Sequence, residues 1–182
     1  MADGTNSTKS SLSIDFVDDP DVVFRVAWYA VSYKPGVYLT EYSIPESKGF
    51  QGTASFSIGS DLGALETTIS INEGESKLQI HASGASEDIV SSFLEDTNKT
   101  INEALDKYRV QGTNEKSKVR RALVAKTCWD RMVYLILKKK PLAEIYFQLA
   151  HGREMMIKAT EGEDLHTVTL GTSGWLTKVE DL

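Results

Sequence analysis

Cys128 is the only cysteine of the chain, and it could serve as a nucleophile only with a histidine base nearby in space. The histidines are His81, His151 and His166. No two of them fall at i, i+4 and no cysteine pair exists, so the spacing that zinc requires is absent. Each histidine reads as a strand-face or turn residue. Cys128, beside Trp129 at the border of an apolar helix face, reads as a packed small side chain. Asp15, Asp18, Asp19 and Asp21 crowd the stretch DFVDDPD. An acidic loop can converge oxygens on calcium, but this one lacks the fixed spacing and central glycine of a calcium loop. It reads as a solvated turn that discourages pairing at a strand edge. The glycines of IGSDLGAL (Ile58 to Leu65) and LGTSGW (Leu170 to Trp175) lack the strand–GxxxxGK[ST]–helix frame of a phosphate cradle. No G-x-S-x-G elbow is present. No catalytic residue, metal ligand or cofactor emerges, and the expectation is a protein without enzymatic activity.

Charge is the feature that argues for a partner. The net charge is −6, yet Lys107 to Lys140 holds 11 Lys and Arg against 2 Asp and Glu, a local +9 that leaves −15 on the remainder. Lys116, Arg120, Arg121 and Arg131 are spread along one stretch of helical period, and Lys138, Lys139 and Lys140 follow it. Cations facing one way attract polyanions, either nucleic acid phosphates or anionic lipid headgroups. At a membrane surface each contributes about 1 kcal/mol. Two other readings compete. A helix needs a solvated face, and cations in its last turn offset the dipole by about 0.3–1 kcal/mol each. Opposed charges on one molecule also let copies dock head to tail.

These features lead to a binding and assembly protein with a structural or matrix-like role. It self-associates into a homo-oligomer and engages nucleic acid or an anionic membrane through Lys116, Arg120, Arg121, Arg131, Lys138, Lys139 and Lys140. The alternative is a carrier of a small apolar ligand. Trp28, Phe56 and Phe93 would then line a cavity between a curved sheet and a long helix. Trp28, Tyr29 and Tyr33 could instead stack nucleobases, but a nearly uncharged segment is poor at holding a phosphate chain.

The elements that position these residues follow from hydrophobic period. Met1 to Ser10 lacks periodicity and reads as a flexible tail. Leu12, Ile14 and Phe16 alternate as a strand. Val22 to Tyr33 (VVFRVAWYAVSY) is rich in Val, Trp and Tyr and reads as a long central strand, apolar on both faces. Pro35 and Gly36 suit a type II turn. Val37 to Ile44, the run at Ala54, Phe56 and Ile58, Leu65 to Ile71, and Leu78 to Ala82 complete an antiparallel meander, with NEGE as a turn.

The period then changes to 3.6. Ser86 suits an N-cap, with Glu87 and Asp88 in the first turn. Ile89, Phe93, Thr97, Ile101, Leu105 and Tyr108 form a stripe about six turns long that should lie across the sheet. QGTN breaks it. A basic helix runs from Glu115 to about Leu137, with Ala122, Ala125, Trp129, Val133 and Ile136 on one side. Lys116, Arg120, Thr127, Arg131 and Lys138 lie roughly opposite. Pro141 to Gly152 fits a short helix, or the start of a meander with His151-Gly152 as its turn. The alternation of Ile145, Phe147 and Leu149 favours the meander, with Arg153–Thr160 pairing to Leu165–Leu170.

The expected fold is therefore α+β. An antiparallel meander is covered by a long helix, followed by a basic helix and a C-terminal β-hairpin or three-stranded unit. Residues 1–10 form a tail and residues 11–182 one domain, made of sheet plus helix (11–110) and basic helix plus β unit (115–182). The apolar fraction of 41% and charged fraction of 25% suit a soluble globular chain. No secretory signal is visible and the longest apolar run is too short for a membrane span. The expected setting is intracellular and cytoplasmic, with peripheral membrane association an option.

Overall fold

A computed structural model describes residues 7–34, 36–44, 51–59, 65–72, 74 and 76–160. The chain divides into two compact units, Met1–Arg109 and Val110–Leu182. The α+β class, the meander and the long covering helix all stand.

The first unit runs β1 (Thr8–Asp15), α1 (Pro20–Ser32), β2 (Val37–Ser43), β3 (Gln51–Ile58), β4 (Leu65–Asn72), β5 (Lys77–Gly84) and α2 (Glu87–Arg109). The sheet order is β1-β5-β4-β3-β2, and every pair is antiparallel. β2 to β5 form the meander, and β1 closes against the outer edge of β5. The register places Leu12, Ile80, Ile69 and Ala54 in one row across the sheet. Ile80, Ile69 and Ala54 are buried, as alternation on a half-covered sheet requires. Thr8 to Ser10, expected in the tail, already belong to β1.

Val22 to Tyr33 is a helix, not the central strand that its composition suggests. The Asp19 carboxylate accepts from the Asp21 N–H at 2.9 Å, and Pro20 occupies the first helical position, where its missing N–H costs nothing. Eight of the thirteen residues are buried, because α1 packs against β2, β3, β4 and α2. A helix apolar on most sides loses its 3.6 period and resembles a buried strand. Its length is the discriminating signal, since twelve apolar-rich residues exceed an ordinary strand.

α1 and α2 lie antiparallel and are tied at two places. Arg109, at the end of α2, donates to Asp18 at 2.7 Å. The hydrogen-bonded Asp18 carboxylate holds the guanidinium pKa above its ordinary value. Lys34, just past α1, pairs with Asp96 at 2.6 Å and places its ammonium 4.5 Å from the Phe93 ring centre. Of the expected α2 stripe, Thr97, Ile101 and Leu105 are buried and Ile89, Phe93 and Tyr108 half-buried, while Val90 and Leu94 beside it are also buried. The Ser86 hydroxyl accepts from the Ile89 N–H at 3.4 Å. Gly36 has the positive φ expected of it, +74°, with its Cβ position 2.9 Å from the Gly59 carbonyl oxygen, while Pro35 lies outside the described residues.

The second unit contains α3 (Thr113–Leu137) and α4 (Leu142–Thr160), packed as a helical hairpin. α4 corrects the expected β unit over residues 141–160. His151-Gly152 is no turn: both lie inside the helix. The alternation of Ile145, Phe147 and Leu149 does not mark a strand face, because Phe147 and Leu149 are exposed and Ile145 is half-buried. A Cβ on Gly152 would stand 3.2 Å from Cys128 Cβ and 3.6 Å from the Ala125 carbonyl oxygen. Glycine here lets the two helices approach closely. Leu165–Leu170, His166 and the LGTSGW stretch lie outside the described residues.

Candidate functional site

The four carboxylates of DFVDDPD do not converge. Asp15 ends β1, Asp18 binds Arg109, Asp19 caps α1, and Asp21 accepts from Arg25 at 2.8 Å. Among the described residues no group of three or more His, Cys, Asp or Glu could hold a metal ion. Cys128 is buried beside Gly152. His81 is exposed on β5, and His151 stacks on Phe147 with ring centres 6.1 Å apart. Lys158 hydrogen-bonds Glu154 and holds its carboxyl below the usual carboxylate range.

Trp28 and Phe56, two of the residues assigned to an apolar cavity, are fully buried against each other. Their rings meet edge to face, with centres 5.4 Å apart. Phe24 and Tyr42 also meet Trp28 edge to face. Phe93 is half-buried on α2, under Lys34. The rings of Trp28, Phe24, Phe56 and Tyr42 pack between α1 and the strands β2 and β3.

The opposite face of the sheet holds a shallow open groove of about 470 Å³, with Lys9 and Ser11 of β1, Glu66 and Thr68 of β4, and His81 and Ser83 of β5 in its lining. Sequence reasoning missed it because β1, distant in the chain, builds it together with the β4–β5 pair, and hydroxyls alternating on a strand look like ordinary solvated positions.

The basic residues are only partly brought together. Thr127, assigned to the solvent side of α3 with Arg120 and Arg131, is 1% exposed and donates to the Leu123 carbonyl at 2.8 Å. Ile136, assigned to the apolar side, is 51% exposed. α4 packs against a different sector of α3 from the one that charge alone marks. Arg120 is exposed, whereas Lys116, Arg121 and Arg131 are half-buried. Arg121 spends its guanidinium on the Lys158 carbonyl at 2.9 Å. Lys126 pairs with Asp130, and Lys118 with Glu115. The continuous face from Arg120 through Arg131 to Lys138 is thus interrupted at its middle.

What the fold does gather is the hairpin tip. Lys138, Lys139 and Lys140 are all exposed. The Lys139 N–H donates to the Ile136 carbonyl at 3.0 Å and the Lys140 N–H to the Leu135 carbonyl at 2.9 Å. This is the paired bonding of a Schellman cap, with Lys139 in the left-handed position at φ +52°. Glycine is the usual occupant, and a lysine there stores about 1 kcal/mol of backbone strain. Lys139→Gly should therefore raise the hairpin's stability by up to about 0.5 kcal/mol, after allowance for glycine's extra chain entropy. A urea midpoint followed by helical circular dichroism checks this, and a lowered midpoint would contradict the cap.

Beside the three lysines project Ile136 and Leu137, 51% and 60% exposed. Lys138 also sits over the Tyr134 ring at 5.8 Å. The tip is cationic and aliphatic at once. No family model, curated protein or solved structure matches this chain. Among the described residues, no helix is long and apolar enough to cross a membrane.

Proposed function

We propose that this is a non-enzymatic binding protein that docks on an anionic membrane surface through the tip of the α3–α4 hairpin. The supporting observation is the pairing of Lys138, Lys139 and Lys140 with the exposed aliphatic side chains of Ile136 and Leu137. Nucleic acid rewards cations with planar or hydrogen-bonding neighbours and gains little from exposed Ile and Leu. A lipid headgroup layer rewards both parts of the tip. Three lysines contribute about 1 kcal/mol each there. Two half-exposed aliphatic side chains add about 1 kcal/mol each when they enter the acyl boundary. About 5 kcal/mol is a weak, reversible association, comparable to a single acyl chain.

Sedimentation with vesicles containing phosphatidylserine tests it. Binding should fall as salt rises toward about 0.5 M, because the lysines are exposed and screened. Replacing Lys138, Lys139 and Lys140 together by Gln should weaken binding about a hundredfold or more. Arg120→Glu with Arg131→Glu should change it far less. Binding to uncharged vesicles alone, or undiminished binding by the triple variant, would remove the tip from the account. Retention of nucleic acid without vesicles would reassign the partner. The carrier alternative gains no support from Trp28 and Phe56, two of its three lining residues, whose rings pack on each other between α1 and the sheet.

A further inference from the structure

α4 carries a second apolar stripe, away from its contact with α3. Leu142, Tyr146, Leu149 and Ile157 are between two fifths and two thirds exposed. Their spacings of 4, 3 and 8 residues keep them on one side of a helix. Arg153, also exposed, falls in the same stripe between Leu149 and Ile157. A cation in the middle of an apolar stripe does not suit a wholly apolar partner, because its desolvation would go uncompensated. The partner must present an aromatic face or an anion opposite Arg153.

We infer that α4 pairs with α4 of a second copy of this chain, antiparallel, about a twofold axis between Leu149 and Ala150. The stripe is close to a palindrome about that point. Leu142 then faces the partner's Ile157, Leu149 faces the partner's Ala150, and Tyr146 faces the partner's Arg153. Each contact occurs twice. The guanidinium of Arg153 stacks on the phenol of the other copy, so the lone cation of the stripe meets its lone aromatic ring. Pairs related by the same axis place no like charges opposite one another: Glu144 faces the partner's Met155, Glu154 the partner's Ile145, and Lys158 the partner's Pro141. Ala150 at the centre lets the helices approach closely.

The four apolar side chains offer roughly 400 Å² on each copy, taking about 200 Å² for a large side chain. With Arg153 and the flanking residues the pair buries about 1,000 Å² in total, the lower limit for a specific interface. The dimer is accordingly weak, dissociating in the micromolar range. The pairing is isologous and apolar, unlike a head-to-tail docking of acidic and basic surfaces, and it is independent of the membrane reading. Its two lysine tips lie at opposite ends.

Analytical ultracentrifugation of the full chain, from about 1 to 100 μM, tests the pairing. The mass should climb from 20.1 kDa toward twice that value and stay there in about 0.5 M salt. Tyr146→Lys sets a lysine against the partner's Arg153 at two places and should weaken the dimer at least about tenfold. Adding Arg153→Glu to Tyr146→Lys makes both contacts attractive again and should restore the affinity to within about threefold. Both positions are exposed, so helical circular dichroism should be unchanged. A monomer throughout the range, dissociation by salt, an unaffected Tyr146→Lys variant, or a double variant as weak as the single one each overturns the proposal. So does a chain ending at residue 160 that dimerises when the full chain does not, since residues 161–182 would then be the occupant of the stripe.

Discussion

Trp28→Ala should destabilise the first unit by about 3–5 kcal/mol, the usual cost of truncating a buried large aromatic. Trp28 is fully buried and is the common partner of three rings, Phe24, Tyr42 and Phe56. Truncation removes all three edge-to-face contacts and leaves a void lined by apolar groups that cannot collapse onto it. Phe24 is itself held against Gly52, where an added Cβ would stand 3.1 Å from the ring. Chemical denaturation followed by near-ultraviolet circular dichroism would show the shifted midpoint, and a loss below about 1 kcal/mol would contradict the packing. The same variant separates the binding readings. An apolar void of this kind should bind indole and recover part of the lost stability. The unmodified chain should show no thermal shift with indole. A comparable shift in the unmodified chain would favour the carrier reading.

Gly152→Leu should open the hairpin of the second unit at a cost of about 3 kcal/mol, the upper part of the range for overpacking a close contact. The obstruction is Cys128 Cβ at 3.2 Å together with the Ala125 carbonyl oxygen at 3.6 Å, on a helix with little freedom to retreat. Gly152→Ala should be nearly neutral, because about 1 kcal/mol gained in helix propensity offsets a displacement of a few tenths of an ångström. Cys128 supplies an independent readout. It is buried in the hairpin, so its alkylation rate reports opening and should rise at least about tenfold in Gly152→Leu. Unchanged alkylation would mean that α3 and α4 do not approach at this point.

The strands were legible because a half-covered sheet imposes alternation on its own sequence. Leu65, Thr67, Ile69 and Ile71 are buried in turn, and the period could be read without the neighbours. α2 was legible for the same reason, since a helix that covers a sheet with one face writes a stripe. α1 was not. Surrounded by sheet and helix, it carries apolar residues on most sides, and valine and tryptophan suit a strand as well as a buried helix. Asp19 and Pro20 held the local signal for its start, and the acidic character of the stretch concealed it. α4 misled in another way. Its apolar residues serve two faces, one toward α3 and one outward, so their superposition imitates alternation.

The candidate site shows the same division. Composition determined that positive charge gathers between Lys107 and Lys140, that the chain's remainder is acidic, and that Gly36 turns the chain. Wheel geometry alone placed Thr127 in solvent beside Arg120 and Arg131. Charge marks the side a helix would present to water if nothing packed there, but the sector that is covered depends on where the next element returns. Gly152 decides that, by letting α4 come close at Ala125 and Cys128. The side chains left outside are then the three lysines at the tip, the aliphatic pair beside them and the outward stripe of α4. Local sequence specifies periods, caps and charges because these depend on residues a few positions apart. Which surface remains free depends on contacts between residues brought together only by the fold.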